Sequence, residues 1–189
     1  MKTIHRCEWL TDDPLMIKYH DKEWGKPVHS DRKLFEFLLL ESFQAGLSWS
    51  TILKKRENFQ KAFDNFNFNK IAGYDKRKIN SLLKDEGIIR NRLKIESVIN
   101  NAKAFLKVRK EFGTFDKYIW SFVNYKPVNN KYKTLNEIPA RTELSDLISK
   151  DLKKRGFKFV GSAIVYAHMQ ATGMVNDHTT DCFRYKDLH

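Results

Sequence analysis

The sequence predicts an all-α fold. Apolar residues recur at helical spacing along nearly the whole chain, convincing period-2 alternation is absent, and glycine punctuates the ends of the periodic segments. Ser30-Asp31 offers an N-cap to a helix with Leu34, Phe35, Leu38 and Leu39 on one face, broken by Gly46. A second helix begins near Ser48 and carries Trp49, Ile52, Leu53 and Phe59. Ile79, Leu82 and Leu83 mark a short helix stopping at Gly87, and Ile95, Val98, Ile99, Ala102, Phe105 and Leu106 a longer one stopping at Gly113. Thr142 caps a helix bearing Leu144, Leu147, Ile148 and Leu152, with Gly156 as its stop. A last helix runs roughly from Ser162 to Thr172 and ends at Gly173. The least regular stretch, Tyr125 to Ala140, holds two of the four prolines and reads as a surface loop. Neither an internal repeat nor a low-complexity linker is visible, so one compact unit is expected.

Composition narrows the partners. The 189 residues carry 35 Lys plus Arg against 23 Asp plus Glu, a formal net charge of +12. The acidic residues are spread throughout, so the surplus belongs to the folded body and points to an anionic partner. A lysine-rich proteome is the plain alternative. The N-terminus has no apolar run of signal-peptide length, and no stretch approaches a membrane span. A cytoplasmic, reduced protein is expected, in which cysteines near histidines read better as metal ligands than as a disulfide.

Four constellations could carry chemistry. Cys7, His20, His178 and Cys182 use both cysteines in a balanced thiolate–imidazole set that suits tetrahedral zinc; His178 and Cys182, four apart, would share one face of a helical turn. With four protein ligands the site would be closed and structural, tying the N-terminal segment to the C-terminal tail. Unrelated buried cysteines or a Cys7–Cys182 disulfide are the alternatives. Trp9, Tyr19, Trp24 and Trp49 crowd the first 49 residues, where flat rings could sandwich a nucleobase or simply fill a core. Glu41 ends the apolar run Leu38-Leu39-Leu40; against apolar neighbours its carboxyl pKa would rise, whereas at a helix edge it would be solvated. Gly87-Ile88-Ile89-Arg90-Asn91-Arg92 lies between two helices and could present backbone N–H groups to a phosphate, with Arg90, Arg92 and Lys94 adding charge. A second basic run, Lys150 to Lys158, could equally be a solvated helix face.

These pieces occur together, and in this order, in one known family. Cys7-Glu8-Trp9, Asp13-Pro14-Leu15 and the run from Tyr19 through Trp24 to Gly25 resemble the start of 3-methyladenine-DNA glycosylase I. So do Leu40-Glu41 with Gln44-Ala45-Gly46-Leu47-Ser48-Trp49, and the run Ile52 to Glu57. Gly87-Ile88-Ile89-Arg90 looks like the family's helix-hairpin-helix turn. Trp120 to Asn124, Leu152 to Gly161, and Val175-Asn176-Asp177-His178 with Cys182 extend the resemblance over nearly the whole chain.

The resemblance implies a helix-hairpin-helix DNA glycosylase, a single domain over residues 1–189, with its terminal segments joined by one structural zinc on Cys7, His20, His178 and Cys182. It implies that Glu41 reads a flipped base by hydrogen bonding, with Trp49 stacking on it and Tyr19 and Trp9 in the same pocket. The hairpin at Gly87, with Arg90 and Arg92, would hold the backbone of double-stranded DNA carrying alkylated adenine, with Lys158 as a further phosphate contact. A bacterial, cytoplasmic monomer is expected. The family carries a tyrosine where this chain has Met16, so one polar aromatic wall of the pocket becomes a flexible thioether. The implied reaction hydrolyses an N-glycosidic bond and leaves an abasic site. Methylation at N3 makes adenine a cation and a good leaving group, which rings and a carboxylate suit. No lysine stands out as a Schiff-base nucleophile, so strand cleavage is not expected. Two other readings share part of the pattern: a non-catalytic zinc-stabilised DNA-binding module, and a hydrolase with an open catalytic zinc.

Overall fold

A computed structural model describes residues 4–187. Among these residues it is helical throughout, with α1 (Pro14–Lys22), α2 (Asp31–Gln44), α3 (Trp49–Ala62), α4 (Phe68–Ile71), α5 (Lys76–Lys84), α6 (Arg92–Phe112), α7 (Phe115–Ser121), α8 (Glu143–Lys154), α9 (Ser162–Ala171) and α10 (Phe183–Asp187). Local chemistry sets most boundaries. Asp13, Ser48, Asn91 and Thr142 each accept a backbone N–H in the first turn of α1, α3, α6 and α8, and Thr142 forms a reciprocal capping box with Ser145. Ser30 precedes α2 without making such a bond.

Helix α2 is the axis of the molecule. Every residue from Leu34 to Phe43 is buried, because α3, α6, α7 and α9 all pack around it. Its apolar part joins a core dense in rings, including Phe105 stacked on Phe115 at 4.2 Å and Phe43 against Phe59 at 4.8 Å. A smaller cluster of Cys7, Met16, Tyr19, Trp24, Phe37, Leu53, Ala171 and Cys182 brings the two ends of the chain together beside α2. Nearby, the Arg56 guanidinium bonds both oxygens of Glu23 at 2.6 Å and Glu36 at 2.7 Å, locking the end of α1 to α2 and α3. Burial pushes Glu23 up, but Arg56 and Lys33 outweigh it and hold its carboxyl down at about 2.

The stretch read as a plain surface loop has a job. Val128–Asn129 (β1) pairs in parallel with Val175–Asn176 (β2), in the register Val128↔Val175. This short ladder anchors the stretch to the chain beyond α9, and the following turn Leu135–Glu137 lies against the cleft described below. Gly173 ends α9 at φ +70°, and a Cβ there would come within 2.4–2.6 Å of backbone atoms of Gly25, Lys26 and Pro27. Only glycine lets the 25–28 segment seat on the end of α9, where Val28 N–H donates to Thr172 C=O at 3.0 Å. Among the described residues no helix is long and apolar enough to cross a membrane.

Candidate functional site

A cleft of about 320 Å³ opens between the N-terminal segment and α9. Trp9 comes from the N-terminal segment, Met16 and Tyr19 from α1, and Trp24 from the turn after it. Glu41 and Gln44 come from α2, and Trp49 from the first position of α3. Leu135, Ile138 and Pro139 close one side, and Tyr166 and Gln170 of α9 another. The volume suits a flat heterocycle. The rings already contact one another: Tyr19 and Trp49 are tilted with centroids 5.4 Å apart, and Trp9 and Trp24 sit edge to face at 4.9 Å.

Polar atoms of this lining lack partners. Glu41 is 2 % exposed. Its Oε2 lies 2.9 Å from Nδ1 of His168, while its Oε1 is buried with no hydrogen bond, as are Nε1 of Trp9 and Nε1 of Trp49. A buried polar atom left unpaired costs about 1–3 kcal/mol, so several around one cleft mark a site built for a ligand. Burial pushes the Glu41 carboxyl pKa up, and the neighbouring His168 pulls it partly back. Burial, and then the Glu41 charge, pushes the Tyr19 phenol well up, so Tyr19 stays a neutral hydroxyl. The mouth of Glu41's turn is braced from outside. Lys94 of α6, buried itself, donates from Nζ to Phe43 C=O at 2.9 Å and Ala45 C=O at 2.6 Å, capping the end of α2.

Cys7, His20, His178 and Cys182 are all buried, and their ligand atoms lie within 4.8 Å of one another. Cys7 Sγ is 3.4 Å and Cys182 Sγ 3.6 Å from His178 Nδ1, and Cys182 Sγ is 3.6 Å from His20 Nε2. Each ring is steered by its other nitrogen: His20 Nδ1 meets Asp21 at 2.8 Å, and His178 Nε2 meets Trp24 C=O at 3.3 Å. This is the outer-shell pattern that turns an imidazole lone pair toward a metal. The thiols fit the same reading. The hydrogen bond from Cys7 favours Cys182 as thiolate, and that bond together with burial holds Cys7 protonated. A cation between the sulfurs would displace the proton left on Cys7 and let both ligate as thiolates. His178 and Cys182 share a tight turn closed by Cys182 N–H to Thr179 C=O at 2.8 Å, rather than the face of a helix, since α10 starts only at Phe183. The group could hold a metal ion. It also supports the cleft, because Trp9 packs on His20 at 5.4 Å and Trp24 on His178 at 4.5 Å.

The segment between α5 and α6 forms a hairpin. The Gly87 N–H is occupied by Asp85 Oδ1 at 2.8 Å, so this glycine contributes room rather than a free donor. A Cβ there would lie 2.9 Å from that oxygen and 3.0 Å from Asn58. Lys55 donates to the carbonyls of Glu86 and Gly87 at 3.0 and 3.3 Å, holding the turn against α3. Arg90 and Arg92 reach outward, each in a loose pair of 3.3–3.4 Å with Glu86 and Glu96 respectively. Lys158 is exposed, and its backbone is clamped by Asn101 through bonds of 2.7 and 2.9 Å.

Residues 9–185 match the family described as methyladenine glycosylase. The chain belongs to that family. It is 50 % identical over 182 residues to DNA-3-methyladenine glycosylase 1 of Escherichia coli K12, covering 96 % of this chain and 97 % of that one. It is 48 % identical over 177 residues to the DNA-3-methyladenine glycosylase of Haemophilus influenzae, covering 94 % and 96 %. A solved 3-methyladenine DNA glycosylase I superposes with a TM-score of 0.92 at 49 % identity, over 95 % of this chain and 98 % of the other. A Staphylococcus aureus enzyme solved to explain 3-methyladenine recognition gives a TM-score of 0.92 at 38 % identity, over 95 % and 96 %.

Within this family frame, the residues singled out from sequence fall into four places. Trp9, Met16, Tyr19, Glu41 and Trp49 share the cleft; Cys7, His20, His178 and Cys182 share the buried cluster; Gly87, Arg90 and Arg92 share the hairpin, with Lys158 on a separate turn. Sequence reasoning found α9 as a helix but gave it no part in the site. Tyr166 and Gln170 both donate to Asp177 Oδ2, at 2.5 and 2.8 Å, and Asn130 to its Oδ1 at 2.7 Å. This buried carboxylate thereby sets one cleft wall. The available signal was three polar residues, Tyr166, His168 and Gln170, inside an otherwise apolar helix.

Proposed function

We propose that this protein is a repair glycosylase that hydrolyses the N-glycosidic bond of 3-methyladenine in alkylated DNA and leaves an abasic site. The observation that carries it is the buried, unpaired Glu41 Oε1 in an aromatic cleft of purine size. A flipped 3-methyladenine brings a cationic ring and an exocyclic amine. Glu41 accepts from the amine and opposes the charge, while Trp49, Tyr19 and Trp9 give the ring its apolar and π contacts. Met16 closes the floor by dispersion. The damaged base costs less to extrude than a paired one, and its positive charge already weakens the glycosidic bond. The cleft therefore stabilises the departing base more than it performs strong acid–base chemistry. Without a lysine lining the cleft among the described residues, the reaction is read as base release without strand cleavage.

Cys7, His20, His178 and Cys182 would hold one zinc, which supplies a cross-link between the chain ends and takes no part in hydrolysis. Residues 1–189 are read as one glycosylase domain of the helix-hairpin-helix type, acting as a monomer in the bacterial cytoplasm. The α5–α6 hairpin at Gly87, with Arg90, Arg92 and Lys158, is read as the phosphate-contacting face on double-stranded DNA, consistent with the net charge of +12.

The test is incubation with N-methylated duplex DNA under single-turnover conditions, with free bases and abasic sites quantified together. Release of 3-methyladenine matched by abasic sites is expected. Tight binding to the DNA with no base released would instead make the protein a binding module.

A further inference from the structure

The Glu41 carboxylate is not free to choose its orientation. His168 stands on α9 where that helix packs against α2, is 1 % exposed, and forms no part of the cleft lining. Its Nδ1 lies 2.9 Å from Glu41 Oε2. Its Nε2 is buried with no partner. This pattern places the proton on Nδ1. The bond fixes the plane of the carboxylate, so one oxygen is used and the other is left bare beside the cleft.

We infer that His168 is a positioning residue for Glu41, acting from behind the cleft: its Nδ1–H holds Oε2 so that Oε1 meets the base. This rests on the reading of the cleft as the base pocket. Tyr19 of α1 feels the Glu41 charge through space, and no hydrogen bond links the two. The bond to His168 is therefore the principal control on the orientation of the carboxylate.

The test uses the full-length, metal-loaded protein with free 3-methyladenine as ligand, titrated by tryptophan fluorescence, beside single-turnover release and DNA affinity. His168→Leu removes the donor. His168→Asn restores an N–H near the Nδ1 position, and His168→Gln places its amide nearer Nε2. We expect Leu and Gln variants to lose about tenfold in base affinity and in release rate, with DNA affinity unchanged. The Asn variant should stay within about threefold of wild type. In a Glu41→Gln background His168→Leu should add less than about twofold, because the two residues act as one unit. Full affinity in His168→Leu, no rescue by Asn over Gln, or an undiminished loss in the Glu41→Gln background would each overturn the inference and leave His168 as packing. If the leucine variant does not fold, the contrast between Asn and Gln decides. Wild-type protein that fails to bind 3-methyladenine at all would remove the reading of the cleft itself, and this inference with it.

Discussion

Two imidazole–carboxylate pairs, each with a buried ring, work in opposite directions. His20 Nδ1 meets Asp21 at 2.8 Å, and His168 Nδ1 meets Glu41 at 2.9 Å. In the first pair the carboxylate is partly exposed and held by the Arg6 guanidinium at 2.8–3.2 Å, which pulls its pKa down. The carboxylate is the anchor there, and the far nitrogen of the ring is delivered to the sulfurs. In the second pair the ring is walled in, the carboxylate pairs with no arginine or lysine among the described residues, and the spare atom belongs to Glu41. Nearly identical contacts thus leave an imidazole nitrogen facing a cysteine sulfur in one place and a bare carboxylate oxygen beside the cleft in the other. What differs is which partner keeps a free atom toward a ligand space, and whether the carboxylate's charge is already matched.

The comparison can be broken most severely at the metal cluster. Cys182→Ser or His178→Ala should abolish metal retention and lower the melting temperature by about 10 °C or more, since structural metal binding is folding energy. Because Trp9 and Trp24 lean on His20 and His178, base affinity should fall as well. Metal analysis beside calorimetry checks this, and a variant that melts normally without metal would show the cluster to be ornamental to the fold.

Glu41→Gln should separate function from stability. Excision of 3-methyladenine is expected to drop by about 10- to 100-fold through loss of the charge-assisted contact. The melting temperature should hold or rise, because a half-paired buried carboxylate has been removed. The pH dependence carries the same signature. Burial raises the Glu41 pKa, so the carboxylate takes up its proton at a higher pH than an exposed one would. Base affinity should then be lost on acidification starting above the ordinary value of 4.5, with Glu41→Gln showing a flat profile over that range. A sharp loss of stability with unchanged single-turnover rates would reverse the roles of the two pairs.

Asp21→Asn sharpens the comparison at an intermediate scale. It keeps an acceptor for His20 but drops the charge, so metal affinity should weaken about tenfold while excision at saturating metal is preserved. Competition with a chromogenic chelator measures the first and single-turnover release the second. The smallest expected effect is at Met16, which is 6 % exposed and lines the cleft on the same helix as His20. Met16→Tyr should change base affinity or rate only several-fold, about the 0.5–1.5 kcal/mol of one hydrogen bond. A large fall in melting temperature with normal catalysis per folded molecule would make Met16 a core residue instead.

Much of the helical framework was legible because it is written in local rules. Ser48, Asn91 and Thr142 cap helices, Gly113 stops one at φ +86°, and the apolar spacing places α2, α3, α5, α6, α8 and α9 close to where they stand. Short helices escaped notice. α4, α7 and α10 span 4, 7 and 5 residues, too few turns for a period to declare itself, and α1 went unread although it matches α5 at 9 residues. The parallel pair at Val128 and Val175 was invisible for another reason: two residues per strand carry no alternation, and their partners are 47 positions apart.

The sequence by itself determined the residue types the chemistry needs: two cysteines and two histidines at the chain ends, a carboxylate closing an apolar run, and a set of rings near the N-terminus. Composition and order alone left each of these open to a plainer role. Tertiary structure decided which plain roles were wrong, because burial and partnering are properties of distant contacts. Only the packing of α9 on α2 puts His168 behind Glu41, 127 residues away, and leaves one carboxylate oxygen bare. Only the meeting of the chain ends brings Cys7 to 3.4 Å from His178, 171 residues along. A carboxylate is a surface group or a ligand reader according to how water is excluded from it, and that exclusion is made by side chains no local pattern can name.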